Sequence, residues 1–240
     1  MRAALLRFRR DGFAVLPGPP AALQDRLRAL LGRLDRRALS PAERGRCVME
    51  SALRESQRGM ALPEGRDAIF ILGEPGRLHP AFSAAVAHPR VIAAVSRALG
   101  SERLAFHFAN VTAKAAGFGS GIAWHRDATN RYMPSRRGAF LRAMICLDGM
   151  RPANGGTAFR PGSHRGASRP AVVPRVPRGG LVLIHARVLH GGAPNRSATP
   201  RRNLIVQWGR RDDPLVLRNR ESQTGRPPTS LARPGRWLTG

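Results

Sequence analysis

Three residues carry the chemistry this sequence suggests: His125 and Asp127, one residue apart, and the distant His190. Two imidazoles and one carboxylate make up the 2-His-1-carboxylate set, which binds one side of an iron(II) ion and is diagnostic of non-haem Fe(II) oxygenases. An isolated HxD tripeptide is weak evidence, because it arises by chance and usually lies on a surface. Context strengthens it here. Trp124-His125-Arg126-Asp127 ends a predicted strand and follows the flexible Gly117-Phe-Gly-Ser-Gly121. Alternate side chains at a strand end point the same way, so residues 125 and 127 can meet at one ion. His190 stands at the end of another predicted strand, in Leu189-His-Gly-Gly192, where small residues let the backbone come close to a ligand. Arg201, eleven residues further on, opens the next strand, and its guanidinium suits bidentate pairing with a carboxylate.

The elements that must position these residues follow from apolar spacing. Leu5–Arg10 reads as a short helix stopped by Asp11-Gly12, and Phe13–Leu16 as a strand closed by Pro17-Gly-Pro-Pro20. Between Ala21 and Leu39 apolar residues recur at Leu23, Leu27, Leu30, Leu31 and Leu34, which is helical spacing with one face toward a core. Ser40–Arg66 is polar and broken by Pro41, Gly59, Pro63 and Gly65, so it reads as a connecting region, with a lid over the site as the sharper alternative. Pro80–Leu99 divides at His88-Pro89 into two helices, the second capped by Gly100. Strand-like runs then follow at 104–113, 122–124, 139–147, 157–160, 180–185 and 203–209, separated by Gly/Pro/Asn clusters. Helices first and strands afterwards predict an α+β fold in which a β-sandwich or barrel carries the chemistry. Residues 1–211 are read as a single domain and 212–240 as an irregular basic tail.

Composition sets the outer bounds. A chain of 240 residues can bury a full core within one domain. Cys47 and Cys146 form neither a metal spacing nor a disulfide framework, which reads as reduced thiols in a cytoplasmic protein. No run reaches the ~20 apolar residues of a membrane span. The formal charge is +26, and Lys114 is the single lysine. Between Asp127 and Asp212 the only acid is Asp148, against sixteen arginines from Arg131 to Arg211. A solvated basic face accounts for such a run as well as a functional one does. The functional reading is a positive field that draws in an anionic substrate, an acidic carrier or nucleic acid.

Several landmarks accompany the triad: Phe8-Arg-Arg-Asp-Gly-Phe-Ala-Val-Leu16, Ala113-Lys-Ala-Ala-Gly117, Asn154-Gly155-Gly156, Pro161-Gly-Ser-His164, and Asn195 and Arg201 behind His190. Taken together over residues 5 to 210, they resemble the phytanoyl-CoA dioxygenase family of Fe(II)/2-oxoglutarate-dependent oxygenases. The resemblance implies a double-stranded β-helix, jelly-roll or cupin-like, flanked by N-terminal helices. It assigns His125, Asp127 and His190 to iron and Arg201 to the distal carboxylate of 2-oxoglutarate. Thr112 and His107 are the nearest matches for further cosubstrate contacts, with Lys114 as runner-up against a solvent-facing cation. With O2 as the third participant, the implied reaction converts 2-oxoglutarate to succinate and CO2 while oxidising an unactivated C–H bond. Related halogenases replace the carboxylate ligand by a small residue, so the presence of Asp127 favours hydroxylation, or desaturation or ring closure.

The remaining histidines read as structure: His164 ordering a loop, His185 in or near the core, His79 and His88 flanking helical turns. Trp124 is either core or a wall of the cosubstrate pocket, and Cys146 a buried strand residue. For the substrate, Arg131, Arg137 and Arg142 are the candidates to hold an anionic group on a small metabolite such as an amino acid or natural-product intermediate. Two other functions compete. A nucleic-acid oxygenase of the alkylation-repair type would use the charge, but it would need an arginine near the position of Gln207. A binding protein with a vestigial triad is disfavoured because all four expected residues are present.

Overall fold

The structure, a computed structural model, describes residues 1–129, 134–167 and 169–216. Arg2–Asp11 forms α1, one turn longer at its start than expected, and ends at Gly12 in the left-handed conformation (φ 84°). The next elements are β1 (Phe13–Leu16) and α2 (Ala21–Leu34), which stops five residues short of the predicted end. The reason lies in the next turn, where Ser40 and Glu43 form a reciprocal capping box that starts a separate short helix, α3 (Pro41–Arg44).

The polar stretch after α2 therefore holds structure. Besides α3 it contains β2 (Cys47–Met49) and α4 (Glu55–Arg58), and β3 (Ile69–Gly73) follows it. These strands escaped the sequence reading because β2 has only three residues and β3 is a short apolar run with no alternation. The two helices before the main strands, α5 (Pro80–Val86) and α6 (Pro89–Leu99), lie where His88-Pro89 predicted the break. Both flanking histidines are N-caps: His79 Nδ1 accepts from Ala81 N at 3.0 Å and His88 Nδ1 from Arg90 N at 3.2 Å.

The C-terminal strands are β4 (Leu104–Lys114), β5 (Ile122–His125), β6 (Phe140–Cys146), β7 (Thr157–Phe159), β8 (Leu181–His185), β9 (His190–Gly192) and β10 (Arg201–Arg210). They build two antiparallel sheets, a larger one in the order β1-β8-β6-β10-β4-β3-β2 and a smaller one in the order β5-β9-β7. This is the double-stranded β-helix with N-terminal helices. Both faces of the larger sheet are covered, so its strands read as continuous apolar runs. On β10, Leu204, Val206 and Trp208 pack outward into the helix-backed core with Leu27, Leu31, Phe82 and Val95. The alternate residues Arg201, Asn203 and Ile205 face the cavity between the sheets. The same alternation puts Leu141, Ala143 and Ile145 of β6 in the core and Arg142 and Met144 on the cavity wall.

Ordered packing continues past residue 211. Asp213 is 1 % exposed and Leu215 7 %. The Asp213 carboxylate accepts from Ser135 Oγ at 2.6 Å and from the backbone N–H groups of Arg137 and Ala139. Residues 217–240, and Arg131 with its neighbours Asn130 and Tyr132, lie outside the described residues. Among the described residues no helix is long and apolar enough to cross a membrane.

Candidate active site

Pairing of β5 with β9 sets His125 directly opposite His190, and a short 3-10 turn after β5 brings Asp127 beneath them. One side-chain donor atom from each of the three lies within 4.8 Å of the others, a grouping able to hold a metal ion. His125 Nε2 is 3.6 Å from Asp127 Oδ1, and His190 Nε2 is 3.8 Å from Asp127 Oδ2. Each ring is oriented by its own backbone: His125 Nδ1 lies 2.8 Å from Ala123 O and His190 Nδ1 3.0 Å from Val188 O. A carbonyl can only accept, so Nδ1 must carry the proton and Nε2 must present its lone pair. That is the tautomer a metal ligand needs.

Electrostatics fit a cation. Asp127 is 2 % exposed, and neither of its oxygens meets a hydrogen-bond donor in good geometry. The Arg142 guanidinium comes within 2.9 Å of Oδ1 as an ion pair, at an angle outside that of a hydrogen bond. Burial would raise the Asp127 carboxyl, but Arg142 and the two histidines outweigh it and hold it at about 2. Burial pushes His190 down to about 4, which keeps it neutral and able to ligate at neutral pH. A buried carboxylate whose oxygens lack a hydrogen-bond donor, facing two imidazoles, is costly in itself, and a divalent ion satisfies all three.

The cavity beside this cluster has a volume of about 450 Å³. His125 and His190 line it from the smaller sheet; Asn110, Thr112, Arg142, Arg201 and Asn203 line it from the larger. Arg201 is 1 % exposed and has no ion pair among the described residues; its Nε is unpartnered, and burial lowers it to about 10. With the Asn203 amide turned so that its oxygen faces the guanidinium, that oxygen accepts from Arg201 Nη1. Between His190 and Arg201 in the chain, Asn195 fastens the connecting segment to the end of β4, its Nδ2 donating to the carbonyls of Lys114, Ala115 and Thr199.

Comparison with known proteins fits this geometry. A family model described as phytanoyl-CoA dioxygenase (PhyH) matches residues 8–203. The chain belongs to that family. The family carries the name of a dioxygenase. One curated relative, a probable alpha-ketoglutarate-dependent hypophosphite dioxygenase of Stutzerimonas stutzeri, is 31 % identical over 120 residues. That match spans 39 % of this chain and 41 % of the relative. The crystal structure of AviO1 from Streptomyces viridochromogenes Tue57 superposes with a TM-score of 0.68 at 24 % identity, over 89 % of this chain and 96 % of that one. EctD from S. alaskensis, crystallised with 2-oxoglutarate and 5-hydroxyectoine, gives 0.71 at 23 % identity, over 90 % and 78 %. These two likenesses show the shared fold.

Measured against the PhyH expectations, the residues divide. His125, His190, Arg201 and Thr112 line one cavity, and Asp127 groups with the two histidines at its edge. His107 is not among the residues lining it. A bulge in β4 opposite Gln207/Trp208 puts the ring beside Gly209, with Nδ1 3.0 Å from Gln207 Nε2, and burial pushes it down to about 4. Lys114, the runner-up for a cosubstrate contact, is not among the residues lining the cavity, and its full burial also rules out the alternative of a solvent-facing cation. Arg137 lies outside the cavity, where Asp212 and Asp213 pair with it. Arg142 does line the cavity, but it pairs with Asp127.

Trp124 is neither core nor pocket wall: it is 47 % exposed, with the Arg160 guanidinium 5.8 Å from its ring centre. His164 orders a loop as expected, its Nε2 lying 3.1 Å from Arg9 O, and His185 Nδ1 accepts from Arg187 N. Cys146 is buried and its thiol is pushed up to about 12 by burial. Sequence reasoning missed Asn110, whose buried Oδ1 is unpartnered, and Arg46, Cys47 and Val48 from β2 and its approach. For Asn110 the signal was present: it stands two residues before Thr112 on one strand, hence on the same face.

Proposed function

We propose that His125, Asp127 and His190 hold iron(II), that Arg201 binds the distal carboxylate of 2-oxoglutarate, and that the enzyme hydroxylates an unactivated C–H bond of a small anionic metabolite. One observation carries this reading: three metal-donor atoms lie within 4.8 Å of one another, and the two histidines among them share a cavity with the buried Arg201, which has no ion pair among the described residues. Iron bound there, with 2-oxoglutarate and O2, supplies an oxidant able to break such a bond, with release of succinate and CO2. The protein's part is placement. Arg201 gives a carboxylate its only fully buried cationic partner on the cavity wall, while Thr112 and Asn110 offer a hydroxyl and an amide on the neighbouring strand. Val48, Phe70, Ile71, Ile122 and Ile184 add an apolar stretch of wall, which helps to exclude water and strengthens the polar contacts.

Arg46 and Arg142 support an anionic substrate, since they are the remaining cations among the residues lining the cavity and no acidic side chain is among the described residues that line it, Asp127 pairing with Arg142 at its edge. The retained carboxylate at position 127 supports hydroxylation, desaturation or ring closure over halogenation. We read residues 1–211 as one catalytic domain, with residues up to 216 docked on it. The test is a screen of anionic metabolites for stimulated succinate release, with Asp127→Ala as the blank and product mass as the readout. Stimulation confined to neutral or cationic compounds would overturn the anionic assignment. An oligonucleotide that binds in a salt-sensitive way and stimulates succinate release would replace the metabolite with a nucleic acid.

A further inference from the structure

Of the 41 Lys and Arg residues only Lys114 is lysine, and it is fully buried. It ends β4 in register with Arg201. Its ammonium donates to Gly155 O at 3.2 Å and to Ala193 O. The first carbonyl belongs to the turn before β7, and the second follows β9, the strand that starts with His190. One point charge thus joins the larger sheet to the smaller beside the two residues whose separation the cavity depends on. The fit is close, since a Cβ on Gly192 would come within 3.2 Å of the ammonium. A compact ammonium suits that space, whereas a planar guanidinium brings five donors in a rigid fork and needs more room and more acceptors. Burial, and after it the neighbouring Arg201, pushes the Lys114 ammonium down to about 7, with Glu50 opposing them; Glu50 is itself buried, accepting from the backbone N–H of Ser120 at 3.0 Å and from its hydroxyl.

We propose that Lys114 is a positioning residue for the metal centre: it locks the strand bearing His190 against the sheet bearing Arg201, holding the distal imidazole and the cosubstrate-binding guanidinium at a fixed separation. This rests on the reading of His190 as a metal ligand and Arg201 as the anchor for 2-oxoglutarate. The experiment is a Co(II) titration of the metal-free protein, followed by its visible absorption bands, and then by addition of 2-oxoglutarate. Lys114→Met and Lys114→Arg are compared with Leu31→Ala, which destabilises the remote helix-backed core. Both Lys114 variants are expected to bind Co(II) about tenfold or more weakly, with shifted bands and a weaker response to 2-oxoglutarate, while Leu31→Ala keeps wild-type values despite a lower Tm. Binding by Lys114→Met within twofold of wild type overturns the proposal. So does an equal loss in Leu31→Ala, or failure of both Lys114 variants to fold, which would make the lysine a requirement of the fold. Wild-type protein that takes up no Co(II) removes the metal reading itself, and this inference with it.

Discussion

His125 and His190 face each other across the β5–β9 pairing with ring centroids 4.2 Å apart, each holding Nδ1 against the carbonyl two residues before it. The metal-binding geometry is thus a consequence of strand pairing, set before any ion arrives. Pairing this close depends on Gly191: a Cβ there would lie 3.0 Å from Ile122 O and 3.2 Å from the Trp124 backbone. Gly191→Ala should therefore push the strands apart, costing about 1–3 kcal/mol and weakening metal uptake. Thermal unfolding and metal titration check this, and wild-type metal affinity in the variant would count against it.

Arg142 gives a second test. Removing it from metal-free protein leaves Asp127 buried without its cation, which should cost about 3–5 kcal/mol. A divalent ion should restore much of that loss by taking over the charge. Without Arg142, Asp127 and His190 both titrate higher, so the acid limit of metal uptake should move to higher pH. If only substrate KM changes, Arg142 serves the substrate and not the carboxylate.

Arg201→Ala should raise KM for 2-oxoglutarate about 10- to 100-fold, as expected for losing charge-assisted hydrogen bonds worth ~1.5–3 kcal/mol, with a smaller effect on metal binding. Arg201→Lys should recover little, because an ammonium lacks the two-pronged geometry. Anaerobic titration with 2-oxoglutarate separates the binding defect from the rate. A wild-type KM in Arg201→Ala would remove the anchor assignment.

Acid stability of the metal-free protein follows from three histidines. Burial holds His107, His185 and His190 at about 4 in the folded chain, below the ordinary value of about 6.5 that they regain on unfolding. Between those values the unfolded chain binds more protons, so stability is full above pH ~6.5 and falls as pH drops toward ~4. Each histidine contributes roughly 1.4 kcal/mol per pH unit in that window. Denaturant midpoints measured from pH 7 to 4 test the slope, and His107→Asn should reduce it by about a third. A flat profile would mean the rings are protonated in the fold.

Much of this protein is determined by the sequence alone. Donor chemistry and spacing are local properties: an HxD at a strand end, a glycine-flanked distal histidine and an arginine opening the next strand point to a candidate ligand set and, with the other landmarks, to the family without coordinates. Helix limits at Gly12, His88-Pro89 and Gly100 are local too, because caps and breakers act within a turn. Only the tertiary structure decided which face each strand residue takes and what it meets there. A bulge in β4 put His107 against Gln207 instead of the cavity, and no periodicity rule shows a bulge. Lys114 was buried by carbonyls 41 and 79 residues away, and Arg142 was claimed by Asp127 across the sheets. Charge density made Arg137 and Arg142 look alike, but long-range packing gave one to the surface acids and the other to the metal-binding carboxylate.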